Sequence, residues 1–464
     1  MRADKNLYGS GRYQVILKSM NLTDKFFALF KRDAILFCTA LLTGIVIARQ
    51  LGPDLMGAWT ILLLIPGYAE AAGRSQYDAS AVYFICRKKA DLREITYILH
   101  LTAVASTVLV GSIFFFNFEW FYSQLFSNIE KNLRVFAAVI FVVFPLRLIF
   151  LNYSYLLIAQ EDIKNYNILV IIQAVVTAVL SILLIMALDF EIAGAVAGSL
   201  AGVFFAILYA AILAPRHPGI PLIFNRKLFL EMGKYASNHY LSTIISYFQN
   251  NITSLISALF MGPSQVAFYA LGKSMCDVST RMVPAAINTA LFPHVSRLGD
   301  DLESALLAAR LFRVTLLILM GGAFVLAAAI TPIVDFLYGP AYSPMVTPFF
   351  IMIPGVVLSQ AATIFSTFFS GMGRPDLLPK ASIFPLILQV LLSINLIPSN
   401  GVTGAAISFS ASTAFLFVFQ VSFFLKLSKI SFYSLIPRKD DILSISVGIV
   451  GQLVRYRDKI THSF

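Results

Sequence analysis

Seven charged residues interrupt stretches that are otherwise apolar, and their spacing is what gives them chemistry. Glu70, Arg74 and Asp78 follow one another at four-residue steps, and so do Lys273, Asp277 and Arg281. On a continuous helix that spacing brings each set onto one face with opposite signs adjacent. The result is two ladders of alternating charge. Arg147 adds a seventh ionised group, so four cations stand against three carboxylates and leave one positive charge in surplus. That surplus suits an anionic substrate. Asn250 and Asn251, beside Gln249 and Thr253, offer hydrogen bonds that fit sugar hydroxyls, and interhelical hydrogen bonding explains them equally well.

A charge at the centre of a bilayer costs about 2.5–3.5 kcal/mol on insertion scales, so seven facing lipid would cost on the order of 20 kcal/mol. The ladders must face a polar interior. Two readings of that interior stand: the charges neutralise one another and tie helices together, or they line a water-filled cavity. Glu70, Asp78 and Asp277 are also the carboxylates that would couple transport to a proton or sodium gradient. His294 reads as a structural histidine or a proton relay.

The elements that must position these groups are membrane helices. The 464-residue chain is 58% hydrophobic and only 13% charged, with a mean hydropathy of +0.80, more than a soluble core could bury. Stretches long enough to span, roughly 20 residues each, fall at 33–50, 57–83, 96–117, 135–158, 166–188 and 192–214, then at 236–261, 266–296, 313–336, 346–371, 378–397 and 401–425. The expected fold is an all-α integral membrane protein with twelve transmembrane helices in two parallel six-helix repeats around a central cavity. Residues 1–32 form a basic cytoplasmic segment, 33–214 one six-helix lobe, 215–235 a cytoplasmic linker, 236–426 the second lobe and 427–464 a surface-lying tail.

Internal repetition supports the division. LGPDLMGAW from Leu51 returns as MGPSQVAFY from Met261, pairing Gly52 with Gly262 and Pro53 with Pro263 at an offset of 210. IAGAVAG from Ile192 returns as VTGAAIS from Val402 at the same offset, pairing Gly194 with Gly404. Six spans per half means that both halves enter the bilayer in the same direction, and the interface of such repeats is where transporters place a central site. The breakers Pro66, Gly67 and Gly73, and Gly272 and Pro284 in the second half, mark points where long helices bend.

Basic residues set the orientation. The loops on the side of the N-terminal segment hold Arg87, Lys88, Lys89 and Arg93, then Arg216, Arg226 and Lys227, then Arg297, Arg310 and Arg313, whereas the opposite side has only Arg49, Lys131 and Arg134. Both termini are therefore expected in the cytoplasm. Topology and anionic lipid account for the net charge of +11, so no nucleic-acid partner is inferred. Cys38, Cys86 and Cys276 lie in or beside spans and suggest neither a disulfide nor a metal site. No cofactor is expected. The extramembrane loops are too short for a catalytic domain, so the chain does not read as an enzyme.

Together ARQLGPDLMGAW, MGPSQVAFYALGKSM, VPAAINTALFPHVSRL, FFSGMGRPDLL and GVTGAAISFS resemble the polysaccharide-exporter, lipid-linked oligosaccharide flippase branch of the multidrug/oligosaccharidyl-lipid/polysaccharide exporter superfamily. The resemblance runs from about residue 25 to 426. It implies a V-shaped pair of lobes around a cationic cavity, in the cytoplasmic membrane of a bacterium or archaeon. Such a protein moves a polyprenyl-diphosphate-linked glycan to the outer leaflet, as in O-antigen assembly, in contact with the bilayer and with other polysaccharide assembly proteins. The family's basic cavity residues would fall on Arg74, Arg147, Lys273 and Arg281. Two alternatives remain at this level: a cation-coupled multidrug exporter of the same fold, and a membrane-embedded glycan polymerase.

The parallel-repeat topology has a direct test. In a background free of Cys38, Cys86 and Cys276, Asp54→Cys and Ser264→Cys should react with an impermeant thiol reagent on intact cells, while Lys89→Cys and Asp301→Cys should stay protected. Labelling at residue 89 alongside residue 54 would refute parallel halves.

Overall fold

The computed structural model describes residues 22–86, 90–126, 133–160, 162–213, 224–298, 302–374 and 376–441. Most of the basic N-terminal segment, much of the expected linker, the apolar part of the tail and positions 89 and 301 lie outside the described residues, as does the side chain of His294.

The described chain is helical because hydrocarbon leaves a spanning backbone no partner but itself, and a helix satisfies its N–H and C=O groups within one segment. In chain order the first half carries α1 (Leu22–Gly73), α2 (Tyr77–Cys86), α3 (Leu92–Phe116), α4 (Phe118–Leu125), α5 (Arg134–Phe141), α6 (Val143–Ala159), α7 (Ile163–Leu188) and α8 (Glu191–Leu213). The second half carries α9 (Arg226–Phe260), α10 (Pro263–Leu298), α11 (Leu302–Leu337), α12 (Val346–Gly371) and α13 (Leu377–Ser428), with single 3-10 turns at Pro340–Met345 and Phe432–Leu435. Large side chains such as Phe116, Phe324 and Phe336 are each more than three-quarters exposed, which is the lipid-facing surface of a multi-pass membrane protein.

Among the described residues, eight helical stretches are long and apolar enough to cross a bilayer. Two of these, in α1 and α13, belong to 52-residue helices, about 78 Å if straight and far beyond one crossing of roughly 30 Å. Each is interrupted once by a glycine with left-handed φ, Gly52 at 70° and Gly401 at 52°, where a side chain would be strained. A count of twelve needs both halves of α1 and α13, together with α9 and α10, whose polar residues keep them outside the apolar set.

The 210-residue offset recurs in local structure. Gly401 corresponds to Glu191, which has the same unusual positive φ at 41°. Gly194 leans on Leu184 and Ile185 of the helix before it, and Gly404 leans on Leu396 and Ile397 in the same way. The halves also touch where the repeated turns meet: Gly57 lies so close to the Pro263 backbone that no Cβ fits between them. Tyr342, buried, donates a hydrogen bond of 2.6 Å to the Ala48 carbonyl across the same region.

The described chain after α13 is tied to α11. Arg313, near the start of α11, donates from Nε and Nη2 to the two oxygens of Asp441 at 2.7 and 3.1 Å, and from Nη1 to the Ser434 carbonyl at 2.5 Å. Both charged side chains are buried, and the Arg438 N–H completes the carboxylate's shell at 2.9 Å. Residues 429–441 are thereby strapped to α11, a contact that the expectation of a surface-lying tail and a topogenic Arg313 did not include. The two partners are separated by 128 residues, so spacing carried no sign of them.

The hydrogen bonds from Arg313 hold the Asp441 carboxyl below the usual carboxylate range. A carboxylate whose folded pKa is depressed contributes stability above its unfolded value, about 3.9, and loses it as pH falls through the folded value. The melting temperature in detergent should therefore drop on acidification below about pH 4 in the natural protein, and this component of the drop should vanish in Asp441→Asn. That variant leaves Arg313 buried without its counter-ion and should be destabilised by about 3 kcal/mol at pH 7. An unchanged melting curve would refute the strap.

Candidate functional site

Three sizeable hollows lie among the described residues, and α9 contributes polar side chains to each of them. The central cavity, about 890 Å³, lies between the two parts of α1, α9 and α10, and carries Arg32, Asp33, Lys273, Asp277 and Arg281. A chamber of about 430 Å³ opens within the first half, walled by α1, α6, α7, α8 and α9, with Glu70, Arg74 and Arg147 on its surface. A third, about 260 Å³, lies within the second half among α9, α10, α12 and α13. The first-half chamber shares Leu63 and Tyr247 with the central cavity, and the second-half chamber shares Asn250 and Asp277 with it.

The first ladder is not a ladder. α1 ends at Gly73, Gln76 takes a positive φ of 61°, and a new helix starts at Tyr77, so Glu70, Arg74 and Asp78 do not share one helical face. Phe144 presses on Gly73 where a side chain would otherwise project, which fixes the break. Arg74 reaches across the gap to Asp78 at 2.8 Å, with its guanidinium over the Tyr155 ring at 5.1 Å. Asp78 is itself buried and lies at the first turn of α2, where the helix dipole favours a carboxylate. Glu70 turns instead to Arg147, 77 residues away on α6, at 2.5 Å.

The second ladder is helical throughout, but its pairing differs from the simplest expectation. Lys273 binds Asp277 at 2.7 Å, one turn along α10. Arg281 is exposed to the central cavity and has no hydrogen-bond or ion-pair partner among the described residues. The two sets also do not confront each other across one space, because Glu70, Arg74 and Arg147 line the first-half chamber whereas Lys273, Asp277 and Arg281 line the central cavity. Asn250 faces both the central cavity and the second-half chamber, and its amide donates to the Ser246 carbonyl at 2.8 Å. Asn251 faces the central cavity and donates to the Tyr247 carbonyl at 2.9 Å. In both asparagines the side-chain oxygen is left for other partners.

Three cavity residues escaped the sequence reading. Arg32 counts in the sequence only with the basic N-terminal segment and Asp33 is not singled out there, yet they pair at 2.7 Å and line the central cavity, with Arg32 over the Tyr166 ring at 5.2 Å. An adjacent Arg-Asp pair on the last polar turn before a span was the available signal. Tyr247 forms part of the wall between the central cavity and the first-half chamber, and its phenol fills the space beside Gly67 that a Cβ would need. Gly67 was legible as a bending point; its role in admitting a tyrosine was not.

Comparison with known proteins bears on this geometry. Residues 46–347 match the family described as polysaccharide biosynthesis protein. An uncharacterized membrane protein of Methanocaldococcus jannaschii is 26% identical over 239 residues, 51% of this chain and 46% of that protein, so the chain spans about half the length of the curated relative it matches. Among solved structures, the lipid II flippase MurJ in an inward closed conformation superposes with a TM-score of 0.69 at 13% identity, covering 94% of this chain and 99% of that one. An inward-facing multidrug resistance MATE family transporter of the MOP superfamily superposes at 0.66 and 17% identity, covering 85% and 96%. A MOP superfamily transporter from Pyrococcus furiosus gives 0.59 at 16%, covering 88% and 97%. At these identities the likeness is one of fold.

Whether the Glu70 and Arg147 pair only ties α1 to α6 or also serves transport is open to experiment. Glu70→Gln and Arg147→Gln should each cost about 1–2 kcal/mol in thermal stability, and the double variant should recover most of it, the signature of a coupled pair. Recovery of stability without recovery of transport would assign the pair a role beyond tying helices. Additive losses in the double variant would rule out the coupling.

Proposed function

This chain belongs to the polysaccharide biosynthesis protein family, in the fold that MOP-superfamily flippases and exporters share, and on that premise we propose that it is a lipid-linked oligosaccharide flippase. It moves a polyprenyl-diphosphate-linked glycan from the cytoplasmic to the outer leaflet of the cytoplasmic membrane, with both termini in the cytoplasm. The observation that carries the reading is Arg281, an unpaired guanidinium facing a cavity of about 890 Å³. A free cation inside a membrane protein is costly to keep. It is retained at a profit only if something anionic comes to it.

The chemistry follows from the solvent that the cavity replaces. A glycan and its diphosphate cannot cross roughly 30 Å of hydrocarbon, where each unsatisfied polar group costs several kcal/mol. Arg281 presents a planar fork that matches phosphate oxygens in pairs, and Lys273 stands two turns away along α10 with Asp277 as its counter-ion. Arg74 and Arg147, already held by Asp78 and Glu70, keep the first-half chamber polar. The polyprenyl tail stays in the bilayer while the two six-helix lobes, 33–214 and 236–426, alternate which side the cavity faces. Each carboxylate that the sequence offered for ion coupling has a cation as partner, so the proposal includes no coupling ion.

Purified protein in liposomes carrying a fluorescent polyprenyl-diphosphate oligosaccharide would test this, with leaflet exchange read by quenching from outside. Arg281→Ala should lower transport by at least about tenfold, the scale of one lost charge-assisted contact, while Arg281→Lys retains part of it. Normal exchange by a well-folded Arg281→Ala variant sinks the proposal. Efflux of cationic drugs in place of the lipid would transfer it to the multidrug exporters.

A further inference from the structure

The second-half chamber differs in chemistry from the other two hollows. Ten of its sixteen lining residues carry a hydroxyl or an amide, and only Asp277 carries a charge. The first-half chamber has three charged groups among fourteen residues. Among the described residues that line the second-half chamber none is a cation, and the nearest ammonium, that of Lys273, is held by Asp277. Neutral hydroxyls suit it. Its volume of about 260 Å³ equals roughly nine waters at about 30 Å³ each, the scale of one sugar ring with its hydrogen-bonded surroundings and not of a chain.

Two side chains there are unfinished. Gln249 on α9 is 6% exposed, and its amide nitrogen has no partner; Gln420 on α13 is 7% exposed, and its carbonyl oxygen has none. The Gln420 amide nitrogen donates to Ser366 Oγ at 3.0 Å, so the unmet oxygen is held in place and not left to rotate. A buried donor and a buried acceptor without partners are both costly. Both atoms are closed to water in this conformation, so a sugar hydroxyl, which donates and accepts at once, satisfies either after a small turn of the amide toward the chamber.

Position completes the case. Asp277 faces both the chamber and the central cavity, and Phe409 borders the chamber with Lys273 Nζ 5.2 Å from its ring centroid. Arg281 stands one turn farther along α10, about 6 Å from Asp277 along the axis. A diphosphate at Arg281 therefore places the sugar bonded to it at the mouth of the chamber. The geometry points to the second-half chamber as the recognition subsite for the first, phosphate-linked sugar, taking an uncharged pyranose through Gln249, Gln420 and the serine hydroxyls around them. This assignment rests on the flippase reading.

Binding by the full-length protein in detergent separates the two ideas. The probes are a short polyprenyl diphosphate without sugar and the same lipid carrying one N-acetylglucosamine, one glucose or one galactose. At least one glycosylated probe should bind about tenfold tighter than the bare lipid, the scale of two neutral hydrogen bonds. Gln249→Leu combined with Gln420→Leu should erase that gain and leave bare-lipid affinity unchanged. If the leucine variant does not fold, Gln249→Asn with Gln420→Asn keeps both amides but shortens their reach, and should erase the gain as well. Equal binding of bare and glycosylated lipids by the natural protein, or a gain that survives in a folded double variant, overturns the subsite. Failure to bind the bare diphosphate, with Arg281→Ala no weaker, overturns the flippase reading itself.

Discussion

Hydrocarbon offers no partner to a charge, and the interior of this protein is arranged around that fact. Ion pairs inside the bundle bring together groups that could not be left exposed to lipid, among them Arg74 with Asp78, Glu70 with Arg147 and Lys273 with Asp277. The polar residues that make α9 and α10 too hydrophilic to count as simple spans are the same ones that line the hollows. Both helices therefore turn polar sides toward the hollows, while Leu241 and Phe260 of α9 stay exposed on its outer side. Arg281 is the exception that gives the cavity its sign.

Much of this is legible in the sequence. Composition demanded membrane helices, the cost of buried charge demanded a polar interior, and the 210-residue offset paired Gly194 with Gly404, each of which leans on the helical segment before it. What escaped was partner choice across long chain separations. Four-residue spacing suggested that Glu70 would meet Arg74, but spacing counts only while the helix continues, and Gly73 ends it. The run Gly-Arg-Ser-Gln after an apolar stretch is a helix stop signal; it was read as a bend. Arg147 then becomes the nearest cation, at a distance that no local pattern encodes.

The same limit explains Arg313 and Asp441. Each looked like an ordinary charge at a membrane edge, and only the return of the chain after α13 brings them together in a buried, bidentate pair. Buried pairs of this kind fix geometry more than they add stability. Here the geometry fixed is the closure of the second half on itself, with its last segment anchored to α11 as well as to α13.

The touching turns at Gly57 and Pro263 have a mechanical consequence. Backbone there meets backbone with no side chain between, so the contact has little give and would serve as a fulcrum in any rocking of the halves. α10 departs from it for 36 residues, about 54 Å at 1.5 Å per residue. A swing of about ten degrees about that point would carry the far end of the helix on the order of 9 Å, while Pro263 itself hardly moved. Lys273, Asp277 and Arg281 lie at increasing distances along the lever, so each travels farther than the one before it. The cation without a partner is the one with the longest stroke of the three.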